Sequence, residues 1–183
     1  MKRRTFDALA TLGGLVLAIV LISAALIFRA NADFANTNVR SQLSAQQVFF
    51  PPASALSEEE KQQPGVVKYA GKQVVDGDMA EVYANQFIAL HLRESLDGKT
   101  YSELSTESRA KPDDAKLAAQ VQTAFRGETL RGLLLTSYAF WTLGQKADQM
   151  VIVLLAGGVL MLVLAALGLW HYSRTPKREQ LAL

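Results

Sequence analysis

Two long apolar runs dominate the pattern of hydrophobic and polar positions along the chain. The first run is Ala8–Phe28, between Asp7 and Arg29, and the second is Met150–Trp170. An α-helix needs about 20 apolar residues to cross the roughly 30 Å hydrocarbon core of a bilayer, so both runs predict transmembrane helices. Neither run contains an ionisable residue, which argues against a proton relay or a transport site in the membrane.

The charges at the two chain ends predict the orientation. Each terminal tail carries three basic residues: Lys2, Arg3 and Arg4 in one, and Arg174, Lys177 and Arg178 in the other. Because positive residues stay on the cytoplasmic side, we expect both termini in the cytoplasm and the central region outside the plasma membrane of a bacterial cell. The predicted organisation is a basic tail at 1–7, transmembrane helices at 8–28 and 149–170, an extracytoplasmic domain at 29–148 and a second basic tail at 171–183.

The first apolar run has a second interpretation as a secretory signal peptide. Ala30-Asn31-Ala32 offers a sequence similar to a cleavage site. The run is 21 residues long, however, whereas the apolar region of a signal peptide has roughly 7–15 residues. The length therefore favours an uncleaved signal anchor.

Small residues in the two runs are candidates for helix packing. The candidates are Gly13, Gly14, Ala18, Gly157 and Gly158. Small residues let helix backbones approach closely, and Gly14-x-x-x-Ala18 has the spacing of such a contact. The alternative is that glycine is simply common in membrane helices. Judged by depth, the second glycine pair should lie nearest to Ser23–Ala25.

The central region reads as a small helical domain. The first helix should continue outward over Asp33–Gln47 and stop at Phe49-Phe50-Pro51-Pro52, because two prolines enforce an extended chain. Further helices are predicted over the ranges Met79–Leu96 with Asp78 as N-cap, Thr100 to about Arg109, Ala115–Phe125, and Glu128–Leu143.

The last predicted helix, Glu128–Leu143, is apolar on nearly every side, which is typical of a buried central helix. We expect it to be separated from the preceding helix at Gly127 and to bend into the second span at Gly144. A re-entrant or interfacial segment is the alternative. Earlier in the domain, Ser57 should cap a short helix whose carboxylates, Glu58–Glu60, are solvated. The stretches 65–69 and 72–75 read as short strands or as loop.

The composition excludes several kinds of functional site. The chain has no cysteine, which excludes disulfides, Cys-ligated zinc and thiol catalysis. Residues 30–148 hold 12 Lys and Arg against 15 Asp and Glu, a net charge of −3, so nucleic acid is not an expected partner. His91 is the only histidine there, and no phosphate-binding loop or nucleophile motif is present. We therefore expect no enzyme activity, no metal and no cofactor.

Several aromatic and arginine side chains are instead candidates for a surface that contacts a partner or the membrane interface. These candidates are Phe49, Phe50, Arg126, Arg131, Phe140, Trp141, Trp170 and Tyr172. Aromatic rings favour the membrane interface, and arginines near a membrane contact head groups or a partner's carboxylates. The alternative for Arg131 is an ordinary ion pair with Glu128, three residues earlier on the same helix.

The chain also resembles a known family through four groups of residues. They are the segments Gln47–Pro52, Val75–Gly77, Tyr83–Ile88 (Tyr83-Ala84-Asn85 and Phe87-Ile88) and Phe125–Leu135. The family consists of uncharacterised two-span membrane proteins from high-GC Gram-positive bacteria, and the resemblance covers essentially the whole chain. Some members carry a ring-opening dioxygenase label, which the chain's two histidines do not support. The resemblance implies no activity for any residue.

These patterns lead to three functional hypotheses. The first is a membrane-anchored accessory or scaffold subunit of an envelope complex, in contact with the lipid bilayer and with another membrane protein or a second copy. The second is an extracytoplasmic ligand-sensing protein that signals through a partner, since the tail after Trp170 is too short for a signalling module. An enzyme of unrecognised type comes last.

Overall fold

A computed structural model describes residues 3–176 of the 183-residue chain. It is mainly helical, with 84% helix, and the described part contains no strand. The helices are α1 (Arg3–Gln46), α2 (Glu58–Lys61), α3 (Pro64–Tyr69), α4 (Gly77–Val82), α5 (Ala89–Ser95), α6 (Tyr101–Ala110) and α7 (Ala115–Arg174). A 3₁₀ turn spans Ala53–Ala55, and a π-helical segment, Tyr83–Ile88, joins α4 to α5. Lys2, Lys177 and Arg178 lie outside the described residues.

The described residues form two compact units. One comprises residues 3–34 and 144–176, and the other comprises Ala35–Leu143. The first contains the long apolar stretches of α1 and α7, which are the two helices long and apolar enough to cross a membrane. The second contains the small helices, and the boundaries lie a few residues inside the predicted 29–148. We call these the helix-pair unit and the small-helix unit.

The small-helix unit has two buried hydrophobic clusters, one around Phe50 and one around Leu104. Phe50, Leu104, Val66 and Val74 are its largest fully buried side chains. Around Phe50 lie Tyr69 and Tyr83, with ring centroids 5.7 and 5.0 Å away. Burying such aromatic and aliphatic side chains is the main stabilising term for a unit that has no disulfide.

The end of α1 is fixed by backbone hydrogen bonds to the stretch 72–75, which the sequence pattern left as strand or loop. Gln47 adopts a positive φ of 52°, which ends the helix. The chain then runs antiparallel to residues 71–74, with Val74 N donating to Val48 O at 2.8 Å and Phe50 N to Lys72 O at 2.9 Å. The Gln73 amide also donates to Ser44 O at 2.8 Å, so it satisfies a carbonyl in the last turn of α1.

Two helix starts follow the predicted caps, and one does not. Thr100 and Glu103 form a capping box at α6, and the hydrogen bonds from Thr100 lower the pKa of the Glu103 carboxyl. Ser57 and Glu60 form another at α2. The N-cap of α4 is Asp76, whose Oδ1 accepts from Met79 N at 2.9 Å, so the assignment of Asp78 was wrong by two residues.

Two short stretches differ from their predictions. Glu60 is buried rather than solvated, with 6% of its surface exposed, because its side chain turns back to its own cap. The stretch 65–69 belongs to a helix, α3, rather than to a strand or loop. Pro64 stands at the first position of α3, where proline's fixed φ suits a helix and its missing N–H costs nothing.

The largest difference concerns α7, which runs from Ala115 to Arg174 without interruption. The predicted break at Gly127 was wrong, and the helix also continues through Gly144, where a bend was predicted. Gly127 lies inside the helix. Glycine suits this position because any side chain there would overlap the side chain of Leu92 of α5. The prediction that Glu128–Leu143 is buried on every side was also wrong, since Leu134 and Trp141 are buried while Leu133 is 62% exposed.

The close contact between α4 and α7 gives a prediction of stability. A methyl group at Gly77 would overlap Trp141 Cβ and Cγ, which cannot move without shifting α7. Gly77→Ala should therefore destabilise the protein by about 1–3 kcal/mol, the usual cost of overpacking. Gly132, also on α7, has no atom within 4 Å of an added methyl. Gly132→Ala is the control and should stabilise by roughly 0.5–1 kcal/mol through helix propensity.

Thermal unfolding of the detergent-solubilised protein, followed by circular dichroism, measures both changes. Equal shifts for the two variants would contradict the close approach of α4 and α7.

Candidate functional site

The helix-pair unit is held by a line of small residues between α1 and α7. Ala18, Ala25 and Ala32 recur every seven residues on α1 and are almost fully buried. A methyl group at Gly158 would lie 2.8 Å from Ile22 Cγ1 and 3.7 Å from Ala18 O. The backbones therefore approach closely at Gly158, as small residues in membrane helices allow. The contact lies just before the expected Ser23–Ala25.

Not every predicted packing residue belongs to this line. Gly14 faces Ala165, and Gly157 faces Leu21, each at ordinary van der Waals distance from an added methyl. Gly13 has nothing within 4 Å and instead lines a cavity of about 370 Å³ in the same unit. Its assignment as a packing residue within this chain was therefore wrong.

Charged and aromatic side chains gather at the two ends of the helix pair. Near the chain termini, His171 Nδ1 lies 3.1 Å from Asp7 Oδ2. Arg4 stacks over the ring of Tyr172 at 4.4 Å, and Arg174 over the ring of Trp170 at 4.6 Å. At the opposite end, Arg29 bridges Asp33 and Asp148. Trp170 is 55% exposed, as an interface side chain would be.

The remaining surface candidates divide into exposed and buried residues. Phe49 is 54% exposed and Phe140 is 56% exposed, and Arg126 is also exposed. Phe50 is only 2% exposed and Trp141 only 9%, so both are core residues and their assignment to a partner surface was wrong. The sequence gives no sign of this difference, because neighbouring aromatic residues on one segment look alike.

Arg131 is engaged inside the small-helix unit. Its Nη1 donates to both oxygens of Glu128 at 3.0 and 2.9 Å, which is the predicted pair. Its Nε donates to Ala84 O at 3.1 Å and its Nη2 to Asn85 Oδ1 at 3.3 Å. Ala84 and Asn85 belong to the π-helical segment, in which Ala84 O also accepts from the backbone N–H of Ala89. Arg131 therefore ties this segment to α7.

Beside the π-helical segment lies a groove of about 360 Å³, which we call the Tyr83 groove. Six aliphatic side chains line it: Leu43, Val48, Ile88, Leu130, Leu133 and Leu134. Its polar lining is uncharged: Gln46, Tyr83, Thr136 and Ser137. Burial raises the pKa of the Tyr83 hydroxyl above its usual value. The volume falls within the range of small-molecule sites, roughly 300–1,000 Å³.

The sequence pattern does not reveal this groove. It combines the end of α1, the residue after the Gln47 turn, both ends of the π-helical segment and the middle of α7. A π-helical segment inside a helix is often found at functional sites, but the apolar stripe of Met79–Leu96 predicted one regular helix. We take the groove as the candidate site in the small-helix unit, because its lining is mostly apolar and combines three distant parts of the chain.

His91 has two defined polar neighbours. Its Nε2 lies 3.4 Å from Oε1 of the buried Glu60, and its Nδ1 lies 2.8 Å from Phe87 O. Because a carbonyl only accepts, Nδ1 must carry the proton of that hydrogen bond. The pair connects α2 with α5. Among residues 3–176, no group of three or more His, Cys, Asp or Glu side chains is placed to hold a metal ion.

No family model, no curated protein and no solved structure matches this chain.

The Arg131 network generates a prediction with a built-in control, because the chain repeats an Arg-Gly pair on α7. Arg131→Met should leave Ala84 O and Asn85 without their cation and cost about 1–3 kcal/mol of unfolding free energy. Arg126→Met, on the exposed surface of the same helix, should change it by less than about 0.5 kcal/mol. Hydrogen exchange should also become faster at the amides of 84–89 in the Arg131 variant alone. Unchanged exchange there would show that Arg131 does not hold the π-helical segment.

Proposed function

We propose that the chain is an integral membrane protein of a bacterial envelope that crosses the plasma membrane twice. The observation that carries this proposal is the uncovered apolar surface of α1 and α7. Their most apolar stretches have mean hydropathies of 2.6 and 2.9, yet only 11% of each stretch is buried within the chain. A core helix of a soluble protein would be mostly buried, whereas lipid accepts such a surface without cost.

The proposed topology places both termini in the cytoplasm and residues 35–143 outside. Arg3, Arg4 and Arg174 support it, since cytoplasmic segments carry an excess of basic residues. The stacking of Arg4 on Tyr172 and of Arg174 on Trp170 also suits the region of lipid head groups.

Within the membrane, we assign the chain the role of a non-catalytic accessory or scaffold subunit. The supporting observation is an apolar face on α7 in the small-helix unit. Leu130, Leu133, Phe140 and Leu143 are each more than half exposed and lie on one side of that helix. An exposed patch of this kind marks a contact with another protein or with lipid. The partner is another membrane protein or a second copy of the chain.

A second function, sensing of a ligand outside the cell, is favoured by the Tyr83 groove. The groove is mostly apolar, has a few neutral polar groups and lies against a π-helical segment. A sensing protein with this architecture would need a partner to carry the signal, so the two proposals share the requirement for an interacting protein.

The proposed topology can be tested with single cysteines, because the chain has none of its own. Ser102→Cys, exposed on α6, should react with a membrane-impermeant maleimide added to intact cells. Thr5→Cys, exposed near the start of α1, should react only after the cells are permeabilised. Labelling of the two positions in the opposite order would overturn the topology, and recovery of the protein in the soluble fraction would overturn membrane insertion.

The accessory role can be tested by photo-crosslinking in native membranes. A benzophenone amino acid in place of Phe140 should give a reproducible crosslinked product of defined mass, while the same amino acid in place of the equally exposed Ser102 should not. Mass spectrometry of the product then identifies a membrane protein or a second copy. Crosslinking at neither position, together with a monomer after gentle detergent extraction, would exclude the accessory role.

A further inference from the structure

The lining of the Tyr83 groove restricts the chemistry of what it can hold. No charged side chain lines it, so a phosphate, a carboxylate or a cation would lose hydration without gaining a partner. The aliphatic side chains of Leu43, Ile88 and Leu134 form much of its wall. An occupant must therefore be mainly hydrocarbon.

The polar groups limit the occupant further. Thr136 Oγ1 donates to Gly132 O at 2.8 Å and Ser137 Oγ to Leu133 O at 3.2 Å, so both hydroxyls are already used within α7. In the described part of the chain, the hydroxyl of Tyr83 and the side-chain amide of Gln46 make no such hydrogen bond. One neutral oxygen of a ligand would find a donor there.

From this lining we propose that the Tyr83 groove binds the hydrocarbon tail of a membrane lipid, with an ester or hydroxyl oxygen of the lipid accepting a hydrogen bond from Tyr83. The inference rests on the membrane placement proposed above, in which the small-helix unit lies outside the bilayer but is tethered to it at both ends by α1 and α7. It goes beyond an accessory role, because a scaffold requires no ligand site.

The size and the exposed wall of the groove agree with a lipid tail. Its volume of about 360 Å³ is more than twice the roughly 150 Å³ of an apolar cavity that holds benzene. Leu130 and Leu133 line the groove yet remain 53% and 62% exposed. An occupying tail would cover part of this apolar surface, which supplies the driving force for binding.

The groove is also preformed. The ring of Tyr83 is held between Phe50 and Phe87, with ring centroids 5.0 and 4.8 Å away. On the other side, Arg131 fixes the π-helical segment to α7 through Ala84 O. A ligand therefore finds its walls in place and does not have to order them, which lowers the entropic cost of binding.

The experiment uses the full chain reconstituted in phosphatidylcholine vesicles that contain a small fraction of a lipid with a diazirine in its acyl tail. After irradiation, mass spectrometry maps the labelled peptides. Label should concentrate on peptides containing Tyr83–Ile88 and Leu130–Ser137, in addition to the apolar stretches of α1 and α7. A water-soluble diazirine of similar reactivity measures general accessibility and should not show this concentration.

Three variants decide between the groove and the general surface. Ser137→Phe fills the groove and should lower labelling of the Tyr83–Ile88 peptide by about tenfold, since losing the burial of two methylenes weakens binding to that extent. Leu133→Gln, at an exposed position, should lower it severalfold without disturbing the fold. Leu143→Gln makes the same change at an equally exposed position outside the groove and should leave it unaltered.

Circular dichroism of each variant shows whether it folds, and Leu133→Gln keeps the test valid if Ser137→Phe does not. Equal labelling in all three folded variants, or label spread evenly along α7, would overturn the proposal. A crosslinked second protein that protects these peptides in native membranes but not in vesicles would identify a partner protein as the occupant and would also overturn it. Because the vesicle assay does not depend on topology or on Phe140, its failure is distinguishable from failure of the accessory role.

Discussion

Both units depend on the close approach of helices at positions where the residue is glycine or alanine. In the helix-pair unit, Gly158 and Ala18 let α1 and α7 touch without a ridge of large side chains. In the small-helix unit, Gly77 lies directly against Trp141, and Gly127 against Leu92. Lipid offers no hydrophobic driving force between helices, so van der Waals contact at such positions has to hold a helix pair in a membrane. In the small-helix unit, the same geometry brings the small helices onto α7 closely enough to bury Phe50 and Leu104.

Dense packing of this kind leaves little freedom for the π-helical segment, and Arg131 shows how it is accommodated. The segment places Tyr83 and Ile88 in the wall of one groove. The guanidinium of Arg131 adds a second donor at Ala84 O, which also accepts from the backbone N–H of Ala89. A structural ion pair with Glu128 thus positions the arginine for a second contact. The Tyr83 groove is therefore a consequence of the way in which the π-helical segment packs beside α7.

The sequence predicted the features that depend on neighbouring residues and missed those that depend on distant ones. The N-cap at Ser57 and the capping box at Thr100 are local, and both were predicted. The outward continuation of α1 to Gln46 was also predicted, because no helix breaker interrupts it. By contrast, Gly127 looked like a break, and only its contact with Leu92, 35 residues earlier, explains a glycine inside a continuous helix. Phe50 and Trp141 looked like surface anchors for the same reason, since their burial depends on which elements cover them. The family resemblance and the functional hypotheses stay predictions.

The two proposals for the small-helix unit meet on one helix. Leu130 and Leu133 line the Tyr83 groove, and Phe140 and Leu143 continue the exposed apolar face on the same side of α7. A lipid tail that covers Leu133 changes the apolar area that this face offers to a partner, so the two binding events cannot be independent if they share that side chain. Linkage requires such an effect to be reciprocal: a partner that binds the lipid-filled form more tightly must also tighten lipid binding. An accessory subunit and a lipid sensor are therefore not exclusive roles for this chain, because a scaffold whose partner affinity depends on the occupancy of the groove performs both.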